Sequence, residues 1–408
     1  MYKLVNHCPI TNQTDKTTYL DLGLMPLVNN LNSTKEESLD CPRFPLKINL
    51  FHDSRLSVLS HIIDPNILFQ NYVYKSGTSQ PYIEHCREMF DYISKFVEIK
   101  KLDTFIDIGG NDGTLLFEFW KRSTTPIFVV NVDPSTNLTD SCRLKNIHAI
   151  TSRWNSDSAK IATMEQKAKV ITSTNVFQHT EDIRDFVVSI RNSLADDGVW
   201  CLEFPYWKKD LETHQYDQTY HEHIYYYLVT PLNTLFNQEG LKIIDISEHP
   251  IHGGTLRLII KKDDTGIIDS KVIDYMRDEI RFDLDYYMDW SNKIQRHMFQ
   301  CERFIYVKKS QGYKIAGFGA AAKGCIFLNS CRLDHEIIDY VVDDTDLKQG
   351  KFIPGTGIEI VSRERLIQNP PDYILILAHN FADYIMKSLR PIYKGRFLVM
   401  FPTVQEYE

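Results

Sequence analysis

The chain has 408 residues, too many for one ordinary core and enough for two or three domains. Apolar residues make up 43% and charged residues 25%, which leaves ample surface to bury and excludes a disordered chain. A net charge of -8 with no basic tail argues against nucleic acid as the main partner, because phosphate binding is driven by concentrated Lys and Arg.

The start of the chain, Met1 to Cys8, lacks the basic opening, apolar run and small-residue cleavage site of a secretion signal. No stretch approaches the run of ~20 apolar residues that crosses a bilayer. The eight cysteines are scattered rather than framed, so reduced thiols, a cytoplasmic location and no membrane partner are expected. The first fifty residues carry Pro, Asn and Asp turn signals and predict a small irregular or β-rich module, 1–70. Leu20, Leu22, Leu24, Phe44, Leu46, Ile48 and Leu50 are its candidate core.

Residues 81–101 place Ile83, Met89, Phe90, Ile93 and Phe96 near helical spacing and predict an amphipathic helix leading into a strand. From Thr104 to about Lys262, short apolar runs alternate with longer helical patterns, which predicts a βαβ domain with a mostly parallel sheet over 71–268. Between about Ser270 and Gln311 the sequence is charged and aromatic and free of Gly and Pro, so a long helix or helical pair is expected as a connector, 269–311. A second alternation from Lys314 predicts a smaller Rossmann-like α/β domain, 312–408.

The sharpest local signal is Phe105-Ile-Asp107-Ile-Gly109-Gly110-Asn111-Asp112-Gly113, a strand running through a glycine turn into a helix. Glycines let the backbone approach a ligand, and the helix start offers unpaired N–H groups. The second strand ends at Asp133, 24 residues after Gly109, where a carboxylate can accept from both hydroxyls of an adenosine ribose. That geometry alone also admits NAD. The loop reads Asp-x-Gly-x-x-Asp-Gly rather than Gly-x-Gly-x-x-Gly, and an extra acid at Asp112 suits a sulfonium and an amino group better than a pyrophosphate. The expected ligand is S-adenosylmethionine, with S-adenosylhomocysteine as product, seated by Asp107, Gly109, Asn111, Asp112, Gly113, Asp133, Pro134 and Asn175.

Together with Asn71-Tyr-Val-Tyr74, Val132-Asp133-Pro134, Thr174-Asn175-Val-Phe-Gln-His179, Glu203-Phe-Pro205, Tyr220-His221-Glu222-His223, His252-Gly-Gly-Thr-Leu-Arg257, Gly317-Phe-Gly319-Ala-Ala-Ala-Lys323-Gly324 and Lys348-Gln-Gly350, this loop resembles the nucleotide-sugar C-methyltransferases over nearly the whole chain. The resemblance implies a class I methyltransferase domain in the centre and a C-terminal domain that helps hold the sugar nucleotide. It also implies methylation of a ring carbon beside the ketone of a nucleotide-diphosphate-linked deoxy sugar, by a monomer or homodimer.

Carbon methylation needs a base beside a carbonyl, and an imidazole with a pKa near ~6.5 suits it. The resemblance puts that base at His223, with Glu222 as an orienting or acid–base partner. Tyr220 and Tyr74 then hydrogen-bond the sugar and the enolate oxygen. His179, His221, His252, Arg257, Lys323 and Lys348 are candidates for the substrate, the two lysines for its diphosphate; for His179 a structural role fits equally, and a lone lysine is usually solvated. His221, Glu222 and His223 do not share the His-Glu-x-x-His spacing of a metal helix, so no metal is expected there.

The family's N-terminal module usually holds a structural zinc with two Cys-x-x-Cys pairs. Here the first reads Cys8-Pro-Ile-Thr11 and the second Phe51-His-Asp-Ser54, so three of four thiolates are missing and zinc is not expected. His7, Cys8, Cys41 and His52 are the remaining donors for a substitute site. Competing readings are methylation of a sugar hydroxyl, a non-catalytic scaffold for nucleotide sugars, and a nicotinamide-dependent sugar enzyme.

Overall fold

The computed structural model describes residues 2–68, 77, 80–164, 166–251, 254–263 and 268–408. Tyr74 and His252 lie outside the described residues.

The N-terminal part is an antiparallel sheet. Strands Lys16–Pro26, Arg43–Phe51 and Leu56–Leu59 pair in sequence, and Tyr225–Tyr226, from the far end of the chain's middle third, adds a fourth. Period-two alternation puts Phe44, Leu46 and Ile48 inside, joined by Leu20 and Leu50. Leu24, expected in this core, is instead 60% exposed. Two register shifts in its strand, with Gly23 at φ 77°, turn the side chain to the other face.

The central sheet runs Leu241–His249, Thr255–Lys262, Leu194–Pro205, Ala168–Thr174, Thr104–Ile108, Phe128–Asp133, His148–Thr151. Thr255–Lys262 is antiparallel to its neighbours and the other six strands share one direction. The strand Thr104–Ile108 is buried on both faces, as a continuous apolar run in a parallel sheet must be. Its following helix, Thr114–Arg122, turns Leu115, Leu116 and Phe119 onto Phe105 and Val129. The chain builds outward from Thr104–Ile108 in one direction, then crosses back to Ala168–Thr174 on the other side. That reversal leaves a crevice at the carboxyl ends of these two strands, where α/β sheets bind ligands.

Helices Ser270–Glu279 and Leu284–Ser310 lead to a second seven-stranded sheet, whose inner strands Ile358–Val361, Val341–Val342, Ile315–Phe318, Tyr373–Ile376 and Arg396–Val399 are parallel. The shorter helix is locked to the central domain by Glu279. Its buried carboxylate accepts from Tyr206 Oη (2.8 Å), from the backbone N–H groups of Val229 (2.7 Å) and Thr230 (2.8 Å), and from Thr230 Oγ1 (2.6 Å). Val229 and Thr230 open the helix Val229–Gln238, so the carboxylate satisfies donors that a helix start otherwise leaves unpaired. Among the described residues no helix is long and apolar enough to cross a membrane.

Candidate active site

Gly109, Asn111 and Gly113 all take positive φ (65°, 53° and 76°), and this wraps the loop over the end of its strand. Beneath it, a Cβ on Gly110 would lie 2.2 Å from Asn131 Oδ1 and 2.5 Å from Asp107 Oδ2, so only glycine fits. Asp133 receives the backbone N–H groups of Asn111 (3.1 Å) and Ser135 (2.8 Å), one on each carboxylate oxygen. Each oxygen keeps lone-pair capacity for a ribose hydroxyl. Asp107 is fully buried and accepts from Thr172 Oγ1 at 2.7 Å. Burial, opposed by that bond and reinforced by the Asp133 carboxylate, pushes its pKa up to about 7. Asp107 Oδ2, Asn131 Oδ1 and Asn175 Oδ1 are buried acceptors with no hydrogen-bond partner, and a cationic, N–H-bearing ligand suits such a set.

Asp112 is engaged at the start of the following helix. Its carboxylate accepts from Thr114 N (3.3 Å) and Thr114 Oγ1 (2.7 Å) and faces Lys145 Nζ at 3.4 Å, so it caps the helix start. Pro134 is exposed directly after Asp133.

The segment Tyr220 to His223 is a turn clasped between modules. His223 Nδ1 meets the Gln218 carbonyl at 3.0 Å, which fixes the proton there and leaves Nε2 as an acceptor, 2.7 Å from Tyr220 Oη. Burial, then the neighbouring His179 ring 5.0 Å away, hold the His223 pKa well below 6.5, so the ring is neutral. His179 Nδ1 donates to the Glu222 carbonyl at 2.6 Å, and burial pushes its own pKa down to about 4. The Glu222 carboxyl is 6% exposed; burial pushes it up to about 7 against an opposing hydrogen bond from Asn29. His221 points away from this centre, with Nε2 3.3 Å from the Phe44 carbonyl of the N-terminal sheet.

A sheet with one antiparallel strand, an acid closing its second strand and a buried neutral imidazole are the features of this candidate site. Residues 82–246 match the family described as "Methyltransferase domain", and residues 250–402 match "C-methyltransferase C-terminal domain". The chain is 29% identical over 405 residues to the C-methyltransferase NovU of Streptomyces niveus, covering 98% of this chain and 96% of that one. The chain is thus similar to a C-methyltransferase over nearly its whole length, and two methyltransferase families match its central and C-terminal parts, which makes it an S-adenosylmethionine-dependent methyltransferase. Solved structures with local likeness include the plantazolicin methyltransferase BpumL in complex with SAH (12% identity, 46% of this chain and 88% of that chain, TM-score 0.37). Another is the CurJ carbon methyltransferase (13%, 49% and 61%, TM-score 0.36).

Of the remaining expected substrate residues, Lys323 lies close enough to His223 to act on it electrostatically, whereas Arg257 and Lys348 are engaged with partners of their own. Arg257 is fully buried in an ion-pair network, with Nε 2.7 Å from Glu203 and Nη1 2.8 Å from Glu88, and His85 Nε2 completes it 2.8 Å from Glu203. Burial alone would raise the Glu203 pKa, but His85 and Arg257 together hold it at about 2. Lys348 braces the C-terminal glycine turn, donating to the Ala320 carbonyl at 2.9 Å beside Asp343 at 3.5 Å. Lys323 Nζ is buried without a hydrogen-bond partner, in the field of Asp210 and Asp217.

The zinc positions do not fit a metal. Cys8 Sγ lies 3.1 Å from Ser54 Oγ, and Phe51 is a fully buried core ring. His52 Nε2 is bonded to Thr17 Oγ1 at 2.9 Å, and the described residues bring no substitute set of His7, Cys8, Cys41 and His52 together. One trio among the described residues, His85, Glu88 and His249, has ligand atoms within 4.8 Å of one another. The Arg257 guanidinium already holds Glu88 and Glu203 holds His85, so two of the three donors are engaged in the ion-pair network. Sequence reasoning missed Asn29, Gln218 and the pair Glu203–Arg257. Only the last had a signal, as a charge on each of two neighbouring strand patterns.

Proposed function

We propose that this methyltransferase methylates the carbon beside the ketone of a nucleotide-diphosphate-linked keto-deoxy sugar. The observation that carries the reading is the fixed tautomer of His223: its Nδ1 proton is spent on a backbone carbonyl, and its buried Nε2 is left as an acceptor, held by Tyr220 Oη. In this reading His223 Nε2 removes hydrogen from carbon once Tyr220 Oη swings from Nε2 toward the substrate oxygen. Tyr220 then donates to the enolate oxygen as charge develops there. Glu222, whose carboxyl burial pushes up to about 7, supplies a second acid–base group in the same turn. When bound, S-adenosylmethionine supplies an electrophilic methyl on its sulfonium. The protein seats its ribose on Asp133, places the turn Tyr220–His223 against the crevice and excludes water from it.

A panel of 4-keto nucleotide sugars with labelled methyl donor, followed by mass measurement, tests the substrate. Deuterium washing from the carbon beside the ketone, with protein but no donor, supports a carbon acceptor. No exchange and an oxygen-linked methyl would replace this reading with O-methylation.

A further inference from the structure

We infer that Asn29, on the N-terminal module, is a positioning residue for methyl transfer, acting through Glu222. The inference rests on the reading of Glu222 as an acid–base group. Asn29 Nδ2 donates to Glu222 Oε1 at 2.6 Å, across 193 positions of sequence. Because that oxygen accepts, a proton on the carboxyl sits on Oε2, and the amide therefore selects which oxygen acts as the acid. The backbone supporting Asn29 is anchored: Leu27 and Val28 are buried, and the Asn30 N–H closes a turn onto the Leu27 carbonyl at 3.1 Å.

The catalytic turn has no regular secondary structure of its own and is held at neighbouring points from two directions. His179 grips the Glu222 carbonyl from the central domain, while Phe44 and Asn29 hold His221 and the Glu222 side chain from the N-terminal sheet. Tyr225–Tyr226, two residues further on, is itself a strand of that sheet. The N-terminal module thus sets the geometry of the turn whether or not it touches substrate. Asn29 is exposed whereas Glu222 is buried, so the bond ties a surface amide to a buried carboxyl.

The test compares Asn29→Ala, Asn29→Asp and Asn29→Gln in the full-length protein, in wild-type and Glu222→Gln backgrounds. Loss of one hydrogen bond to an acid–base group should lower kcat about ten- to a hundredfold with KM within about twofold. Asn29→Asp should be worse, and Asn29→Gln should recover part of the rate. In the Glu222→Gln background, Asn29→Ala should cost less than about twofold, since the residue it acts through is already gone. A kcat for Asn29→Ala within twofold of wild type, or losses that multiply with Glu222→Gln, would overturn the inference.

An infrared readout separates it from the choice of substrate. The carboxyl band lost in Glu222→Gln should shift in Asn29→Ala even if no keto sugar is methylated, and an unshifted band overturns the positioning role. Where Asn29→Ala does not fold, Asn29→Ser gives the same two readouts.

Discussion

The Gln218 carbonyl accepts the Nδ1 proton of His223 at 3.0 Å, and this one bond decides which ring nitrogen can act as a base. Gln218 is five residues upstream and contributes only its backbone. Gln218→Ala, which leaves that carbonyl in place, should retain the tautomer. His223→Asn should lose exchange at the carbon beside the ketone by at least about a hundredfold, the scale of a general base. Binding of the methyl donor, measured by calorimetry, should be unchanged.

The pH profile should be shaped by Glu222 rather than by His223. The histidine, held well below 6.5, is already neutral at pH 6.5, so falling pH should not remove the base across pH 7.5 to 6.5. Glu222, pushed up to about 7, loses its proton as pH rises through that value. Methyl transfer that needs the protonated carboxyl therefore declines above pH 7, and Glu222→Gln should abolish that limb while lowering the plateau. The measurement is kcat/KM against pH.

Gly110→Ala should abolish or weaken donor binding at least about tenfold, because the new methyl overlaps Asn131 Oδ1 and Asp107 Oδ2 at 2.2 and 2.5 Å. Calorimetry with S-adenosylhomocysteine reads this directly, and near-wild-type affinity would mean that the loop lies elsewhere when loaded.

The pair Glu203–Arg257 should be a stability element. The carboxyl has an ordinary value of 4.5 and is held at about 2 in the fold, so its contribution is fully present above pH 4.5 and is lost as pH falls toward 2. That difference corresponds to about 3 kcal/mol. Arg257→Met leaves a buried carboxylate short of its partner and should cost about 3–5 kcal/mol in urea unfolding at pH 7. If Arg257 instead bound substrate, KM would rise with stability unchanged.

Metal should be dispensable to the N-terminal module. Elemental analysis should find far less than one zinc per chain, and a chelator should leave the melting temperature unchanged. Ser54→Ala removes the Cys8 contact and should cost about 1 kcal/mol.

Continuous apolar strands, glycine turns and an acid closing the second strand are local, so the sequence by itself determined the central α/β sheet and the glycine turn that ends its first strand. Leu24 shows the limit even within one strand, because two register shifts turned an apolar residue outward. Asp112 shows it within the loop, where only the folded chain reveals its carboxylate bonded to Thr114 and beside Lys145. Only the tertiary structure decided that His221 serves the N-terminal sheet, that Arg257 is sealed in an ion-pair network and that Asn29 holds Glu222. The physical reason is range. Periodicity and turn chemistry act over a few residues, whereas a hydrogen bond spanning 193 positions leaves no pattern in either segment until burial brings the two together.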